Sequence, residues 1–438
     1  MEHLRVPILV YAERREKPPL LMAALMVFVS TDTLFFGTNI SVLARWVPYF
    51  FYCGVAIAVG SRAIVKRALT TRAFSFYALT VVLQILTLVV KDDNFNMSCF
   101  RLALLTAAFA VAMNYSFYSF AHAFEKVVFF LCAYSLIVYA LCYIAPALIS
   151  KFPAVTNVSG YRYHVVGPCI VPARRLGGFF RNTGIFREPG VYQMYINMAL
   201  CFHLFCNEHR SIKKVSLYVI AMLTTISTAG IVCLAICLAV YFAGRSSGKS
   251  ERQFKLLVAL SLALCALFVA LLFPQVVDSA ANMMFDKLDK ESSAHGSAVA
   301  RMSSITSNIA MWKTSPLFGV GLNNSDRLFD YFTRLHYDYY YSVNVTGTHN
   351  TNTYLYQLST YGLFFWAIFT WGLIGLSRLI AARTRGFIMP ALIFVLFLFI
   401  YLNENLYYSL LPPVLMFFGL KERIPARAGQ GGRVVIGV

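Results

Sequence analysis

Long apolar runs separated by short polar segments dominate this chain. A helix rises about 1.5 Å per residue, so about 20 mostly apolar residues cross a hydrocarbon core of roughly 30 Å. By this criterion the sequence predicts about twelve membrane spans, with boundaries given to within a few residues. The predicted spans are residues 18–38, 44–60, 73–90, 97–113, 127–149, 189–206, 215–228, 230–243, 255–274, 357–377, 387–404 and 406–419.

The seventh and eighth spans are short and meet at residues 227–230, so they also fit a single long helix. The distribution of Lys and Arg decides between eleven and twelve spans, because short cytoplasmic loops are enriched in these residues. With twelve spans and a cytoplasmic N-terminus, cytoplasmic segments hold 23 of the 38 Lys and Arg, and short external loops hold three. Merging the pair would move the basic segments 244–255 and 378–386 outside. We therefore predict twelve spans with both termini in the cytoplasm.

The expected fold class is all-α: a polytopic transmembrane bundle forming one integral membrane domain over residues 1–438. Two large loops lie on its external side, at residues 150–188 and 275–356. The first is cationic, with six Lys and Arg against Glu188 alone. The second is mixed and rich in Tyr. Those tyrosines fit sugar-stacking and an interfacial aromatic belt equally well.

Composition supports a lipid environment, since 59% of the residues are hydrophobic, 13% are charged and the mean hydropathy is +0.64. The net charge of +19 does not indicate nucleic-acid binding, because the basic residues are spread among short loops. Most of the ten cysteines fall in apolar runs, which predicts neither a disulfide framework nor a zinc site. The N-terminus shows no cleavable signal peptide.

The first external loop ends in a motif suited to an anion, Gly-Ile-Phe-Arg-Glu-Pro-Gly at residues 184–190. Pro189 suits the first turn of a helix, where its missing N–H is not needed. Guanidinium groups bind phosphate oxygens bidentately, and a helix N-terminus adds partial positive charge. The motif therefore predicts a cradle for a lipid-linked diphosphate. The alternative is that these arginines anchor the loop in anionic headgroups.

The second external loop carries Arg301, then Ser-Pro-Leu-Phe-Gly-Val-Gly-Leu at residues 315–322 and His-Asn-Thr-Asn-Thr-Tyr-Leu at 349–355, followed by Tyr361-Gly362. Together with the first-loop motif, and in this order, these segments resemble the O-antigen polymerase and ligase superfamily. Within it the chain is most similar to Wzy-type polysaccharide polymerases. The resemblance covers residues from about 175 to 375, and the topology of the whole chain.

This resemblance implies a metal-independent glycosyltransferase, similar to the GT-C type, that needs no cofactor. Such an enzyme resides in the bacterial cytoplasmic (inner) membrane and acts on its periplasmic or external face. It transfers glycan from undecaprenyl diphosphate onto a lipid-linked repeat unit, in the synthesis of lipopolysaccharide or exopolysaccharide. The implied partners are the lipid-linked oligosaccharide, membrane lipids and a polysaccharide chain-length regulator, with no nucleic acid.

The family's His-Asn pair falls on His349 and Asn350. An acceptor hydroxyl needs a general base, for which His349 has a suitable ordinary pKa. Glu188 is the rival base if its surroundings raise its pKa. The predicted contacts to diphosphate and glycan are Arg181, Arg187, Arg301, Asn350 and Tyr192.

Two rival functions stay open at this point. A ligase would attach finished polymer to a lipid A core or a protein. A lipid-linked glycan transporter would place charged residues at mid-membrane, whereas the predicted spans are nearly free of charge. Asp32 and Glu404, late in the first and eleventh predicted spans, are functional candidates because ionisable groups are costly within a membrane.

Overall fold

The computed structural model describes the chain except for its two ends and several connecting segments. The described residues are 19–37, 42–65, 70–156, 162–173, 179–207, 209–244, 249–272, 295–336, 350–382, 384, 387–406 and 408–421.

Helices make up most of the described chain, and each predicted span contains one. The helices before the second large loop are α1 (Leu20–Phe28), α2 (Leu34–Gly37), α3 (Val42–Val65), α4 (Thr71–Lys91), α5 (Phe95–Asn114), α6 (Phe117–Ile144), α7 (Pro146–Ile149), α8 (Pro189–Phe205), α9 (Ile212–Thr224), α10 (Thr228–Ala243) and α11 (Lys249–Leu272). The later ones are α12 (His295–Thr314), α13 (Leu322–His336), α14 (Thr353–Ala381), α15 (Met389–Asn403) and α16 (Leu411–Lys421).

The protein is a polytopic helical membrane protein. Among the described residues, five helices are long and apolar enough to cross a membrane: most of α3, and α4, α5, α6 and α14. α10, α15 and α16 are apolar but shorter. The buried apolar core runs continuously through the bundle and includes residues of all these helices as well as of α8. The count of twelve spans stays a prediction.

The first predicted span is not one helix, which corrects the sequence-based boundary at 18–38. The chain leaves helical geometry between α1 and α2. Ser30 explains the break, because its hydroxyl accepts from the N–H of Asp32 at 3.1 Å and its carbonyl accepts from the Thr33 hydroxyl at 2.8 Å. Such local side-chain bonds compete with helical hydrogen bonds. Asp32 is thereby placed in a loop instead of a helix.

The helices α9 and α10 form a hairpin. Arg210, just before α9, lies with its guanidinium carbon 5.6 Å from the ring centroid of Tyr241, near the end of α10. The same guanidinium is 3.0 Å from the carboxylate of Glu251, near the start of α11. The chain therefore turns at residues 225–227, and the start of α9 and the end of α10 share one end of the bundle. We call this the Arg210 end.

The first large loop is not devoid of strands, which corrects the all-α expectation locally. The strands β1 (Ala154–Thr156), β2 (Arg162–Val166) and β3 (Cys169–Pro172) form an antiparallel sheet in the order β1-β2-β3. Gly167, with φ +57°, supports the turn between β2 and β3, where Val166 pairs with Cys169. The β-branched residues Val165, Val166 and Val171 suit strands.

The Ser-Pro-Leu-Phe-Gly-Val-Gly segment docks on a kink in α14. Gly362 has φ +82° at this kink. The N–H of the next residue, Leu363, donates to the carbonyl of Pro316 at 2.9 Å. In return the N–H groups of Val320 and Gly321 donate to carbonyls of α14. The segment therefore shapes the second loop.

Two charged residues lie buried within long helices, so the spans are less free of charge than expected. Arg101 of α5 donates to the amide oxygen of Gln357 at 2.7 Å. The carboxylate of Glu125 in α6 is 3.0 Å from the ammonium of Lys214 and accepts from Tyr218. Both charges are satisfied within the bundle.

Candidate functional site

A short backbone pairing fixes Arg187. The N–H of Arg187 donates to the carbonyl of Asp32 at 3.1 Å, and the N–H of Leu34 donates to the carbonyl of Ile185 at 3.1 Å. Thr33 and Phe186 form an isolated antiparallel bridge between these two bonds. The loop after α1 therefore holds the arginine's backbone, which motif analysis of the first large loop alone could not reveal.

The Arg187 side chain points toward the end of α15. Its Nη2 donates to the carbonyl of Asn405 at 2.7 Å, and its Nε lies 3.9 Å from Glu188 Oε1. Glu188 is the N-cap residue of α8, and Pro189 is the first residue of that helix, as its missing N–H favours. The Glu188 side chain is 52% exposed. Arg187 is thus half-enclosed while Glu188 faces outward.

Arg301, on α12, meets Glu404 at the same place. The Arg301 Nη2 is 3.4 Å from Glu404 Oε1, and the Glu404 side chain is only 4% exposed. Gly190, the second residue of α8, leaves space for this carboxylate, since a Cβ there would overlap Glu404 Oε1. The Glu404 backbone is held by Thr353, whose N–H and hydroxyl both donate to its carbonyl. The carboxylate therefore lies at the N-terminus of α8.

Arg181, in the segment before α8, also lies near these charged residues and binds the turn between α9 and α10. Its Nε donates to the carbonyl of Thr225 at 3.0 Å. Burial lowers the pKa of Arg181. The charges of Glu188 and Glu404 act to raise this pKa, and the charge of Arg301 acts to lower it. We name these five residues the Arg-Glu cluster. Its members are Arg181, Arg187, Glu188, Arg301 and Glu404.

The protonation of Glu404 follows from its position just beyond the last residue of α15. Burial, and after it the charge of Glu188, raises the pKa of Glu404, which comes to about 8. Arg301 and Arg187 act in the opposite direction and favour the carboxylate. Because burial outweighs the two arginines, Glu404 is mostly protonated at neutral pH.

Asp32 forms a second buried acid beside Arg187. Burial raises its pKa, and the charge of Arg187 opposes that shift. The hydroxyl of Tyr195, on α8, donates to its carboxylate. Asp32 therefore holds the backbone of Arg187 through its own carbonyl.

The side chains of Asn350 and Tyr192 form their described hydrogen bonds with polar residues of α12 and α6, among others, and not with the arginines of the cluster. The Asn350 amide exchanges hydrogen bonds with Asn308 of α12, at 2.9 and 3.2 Å, and is 2% exposed. The Tyr192 hydroxyl is 2.8 Å from the Ser135 hydroxyl on α6, and Tyr192 is fully buried. Their predicted substrate contacts stay predictions.

His349 lies outside the described residues, so the structure does not place it. The residues that follow it are anchored on α12. Thr351 donates its N–H to the Ser304 hydroxyl at 2.9 Å. Ser304 lies three residues, about one helical turn, after Arg301.

The site is therefore made of guanidinium and carboxylate groups. Over the described ranges, no cluster of three or more His, Cys, Asp or Glu is arranged to hold a metal ion. Asp93, one of two adjacent acids in a short loop, has a structural use instead. Its carboxylate accepts the N–H groups of Leu322 and Asn323 and caps α13.

Residues 215–370 match the O-antigen ligase family model (Wzy_C). This match confirms the resemblance to the O-antigen polymerase and ligase superfamily. No curated protein and no solved structure matches the chain. Members of the family are membrane glycosyltransferase-like enzymes, and the family indicates a polysaccharide polymerase or ligase that acts on lipid-linked glycans.

The family segment contains only part of the Arg-Glu cluster. Arg301 lies inside residues 215–370, whereas Arg181, Arg187, Glu188 and Glu404 lie outside. Four of the five residues were predicted from the sequence as site residues. Glu404 was predicted only as an ionisable residue near a membrane face, because nothing in the sequence pairs residue 404 with residue 301.

Proposed function

We propose that this protein is a polysaccharide polymerase. It transfers a glycan from undecaprenyl diphosphate onto a lipid-linked repeat unit at the external face of the bacterial cytoplasmic membrane. The observation that carries this proposal is the meeting of Arg181, Arg187 and Arg301 around the N-terminus of α8. Arg181 and Arg187 come from the segment before α8 and Arg301 comes from α12. A diphosphate leaving group needs such a concentration of positive charge.

The position of the cluster supports an external site. Arg181 binds carbonyls of the turn between α9 and α10, at the opposite end of that hairpin from Arg210. The Arg210 end holds the basic residues that the positive-inside rule assigns to the cytoplasm, among them Lys213 and Lys214. This arrangement supports the proposal that the arginines of the cluster act on the external side of the membrane.

Two residues of this site have the chemistry of a general base. Glu188 is half-exposed beside Arg187, so it reaches an incoming acceptor hydroxyl without a rearrangement of the core. His349 has an imidazole with a suitable ordinary pKa. The two residues that follow it in sequence, Asn350 and Thr351, are anchored on α12, the helix that carries Arg301. We propose His349 as the base and Glu188 as its rival.

The test is polymerisation by purified full-length protein in detergent, with synthetic undecaprenyl-diphosphate repeat units of the host polysaccharide. We expect a product ladder that survives added chelator. Arg187→Ala and Arg301→Ala should lower the rate about a hundredfold, because each removes charge stabilisation of the leaving diphosphate. Arg327→Ala is the matched control, since Arg327 is exposed on α13 and bonds only locally to Asn324 in the described structure.

The choice of base is tested by His349→Ala and Glu188→Gln in the same assay. The variant that loses the larger part of the rate, with its melting temperature unchanged, identifies the base. Folded protein that makes no ladder but loads preformed polymer onto a lipid A core would identify a ligase. Movement of labelled lipid-linked glycan across liposomes without elongation would instead identify a transporter.

A further inference from the structure

Glu404 occupies the space between the arginines that an anionic ligand needs. Its Oε1 is 3.4 Å from Arg301 Nη2, and it packs against the α-carbon of Gly190 at the start of α8. The first N–H groups of a helix and its dipole both favour an anion at this position. The structure thus already holds one carboxylate in a place that suits a phosphate oxygen.

We propose that the diphosphate of the lipid-linked glycan binds to Arg187 and Arg301 only when Glu404 is protonated, so that in alkaline solution, where Glu404 is ionised, this carboxylate takes up a proton on binding. This inference rests on the proposed function and adds a positioning residue with a proton-linked role. One proton moves from solvent to a carboxylate oxygen of Glu404, and no covalent bond forms or breaks. The protonated side chain then no longer competes with the phosphate oxygens for the guanidinium groups.

Charge matching supports the exchange. With Glu404 protonated, three guanidinium groups and the Glu188 carboxylate leave a net charge of about +2, equal and opposite to that of a diphosphate diester. With Glu404 ionised, the net charge falls to about +1 and a carboxylate faces the incoming phosphate. Bound diphosphate therefore favours the protonated form of Glu404.

The charged groups around Glu404 come from several elements. Arg301 faces it from α12, Arg187 and Glu188 from the segment before α8, and Arg181 acts from the loop preceding them. From α14 the described contact is Thr353, which carries no charge. Glu404 has a pKa of about 8 without ligand, because burial outweighs its arginine partners. A nearby diphosphate raises that pKa further.

The pKa of Glu404 without ligand and its higher pKa with bound diphosphate determine the direction of the pH effect. Below the ligand-free pKa, Glu404 is already protonated and affinity does not change with pH. Above about pH 8, binding must take up a proton, so affinity falls roughly tenfold per pH unit until the pKa of the bound state is reached.

Isothermal titration calorimetry tests this on the purified full-length protein in detergent. The probe is a synthetic farnesyl-diphosphate diester of N-acetylglucosamine, whose charge is constant between pH 6.5 and 9.5. For wild type we expect constant affinity up to about pH 7.5 and about a tenfold loss between pH 8.5 and 9.5. Glu404→Gln should bind with little pH dependence and, at pH 9.5, at least tenfold more tightly than wild type. A purely structural role would not produce this pattern.

Glu251→Gln is the matched control, because Glu251 is also paired with an arginine but lies at the Arg210 end. It should keep the wild-type pH dependence. Titrations of wild type in two buffers of different ionisation enthalpy measure the proton directly, and need no variant to fold. We expect uptake of about three-quarters of a proton per diester at pH 8.5 and nearly one at pH 9.5.

Three results would overturn the inference. They are no proton uptake by wild type, a wild-type pH slope in Glu404→Gln, and loss of binding by folded Glu404→Gln at every pH. In each of these cases wild type still binds the diester, so the proposed function survives. Failure of folded wild type to bind the diester at any pH would remove both proposals.

Discussion

Gly190 shows how one missing side chain shapes the candidate site. It leaves at the start of α8 the space that the Glu404 carboxylate fills, next to Arg301. Glycine costs about 0.5–1 kcal/mol relative to alanine within a helix. At this position the Glu404 carboxylate occupies the volume that a methyl group would take.

We predict that Gly190→Ala lowers polymerisation at least tenfold, because the added Cβ would fill the space at the start of α8 and force the Glu404 side chain into the place proposed for the diphosphate. The melting temperature in detergent should change little, since the displaced atoms are the end of a side chain. Gly54→Ala is the matched control, because a Cβ at that helical glycine meets nothing within 4 Å. It should keep full activity. Equal losses in both variants would argue against a specific role for the space at Gly190.

At the residue scale, the arginines could be predicted from a motif and from their chemistry. The groups that lie next to them in the fold could not be predicted. Asp32 and Glu404 stood out only as ionisable residues near a membrane face, yet both lie beside Arg187 or Arg301. Tyr192 was selected from its place beside the motif, and its hydroxyl faces Ser135. Contacts across some hundred residues of sequence leave no local pattern.

At the scale of elements, α13 is capped by Asp93, a residue 229 positions earlier in the chain than Leu322. The Asp93 carboxylate accepts from the Leu322 N–H at 2.7 Å and also from the N–H of Asn323. The negative charge suits the positive end of the helix dipole. The loop between α4 and α5 is thereby joined to the second large loop.

We predict that Asp93→Asn frees the first turn of α13, because an amide offers one acceptor oxygen and no charge. The expected cost is about 1 kcal/mol, the usual scale for a lost helix cap. Hydrogen–deuterium exchange of residues 322–325 should rise in this variant. Asp92→Asn serves as the control, since Asp92 is exposed, and Asn tolerates its left-handed backbone, with φ 47°. Faster exchange in both variants would remove the capping explanation.

Elements were the most predictable level of this structure. Apolar runs located a helix in every predicted span, because hydropathy and length are local properties. The break near Asp32 and the three-stranded sheet were missed. Local hydrogen bonds by Ser30 caused the first, and a few β-branched residues in a polar loop gave too weak a signal for the second.

For the whole molecule, the hairpin of α9 and α10 decides which way the later helices cross the membrane. Its two open ends meet near Arg210, so the segments before α9 and after α10 share one side. The charge distribution assigns that side to the cytoplasm.

We predict the following result for reporter fusions made after single positions. Fusions after Arg210 and after Lys249 should report a cytoplasmic location, and a fusion after Lys151 should report an external one. An external signal after Lys249 would contradict the hairpin and return the eleven-span alternative. The fusion after Lys151 is the control for export of the reporter.

The pairing of Arg187 with Asp32 has a consequence for synthesis of the protein. The backbone partner of Arg187, Asp32, has already been synthesised when Arg187 follows the first seven helices out of the ribosome. Arg301 and Glu404 follow more than one hundred and two hundred residues later, respectively. A nascent chain thus has Arg181, Arg187 and Glu188 of the Arg-Glu cluster before Arg301 and Glu404 are synthesised. If the proposed function holds, we expect an incompletely synthesised chain to be unable to consume lipid-linked sugar, because it lacks a guanidinium group that binds the diphosphate.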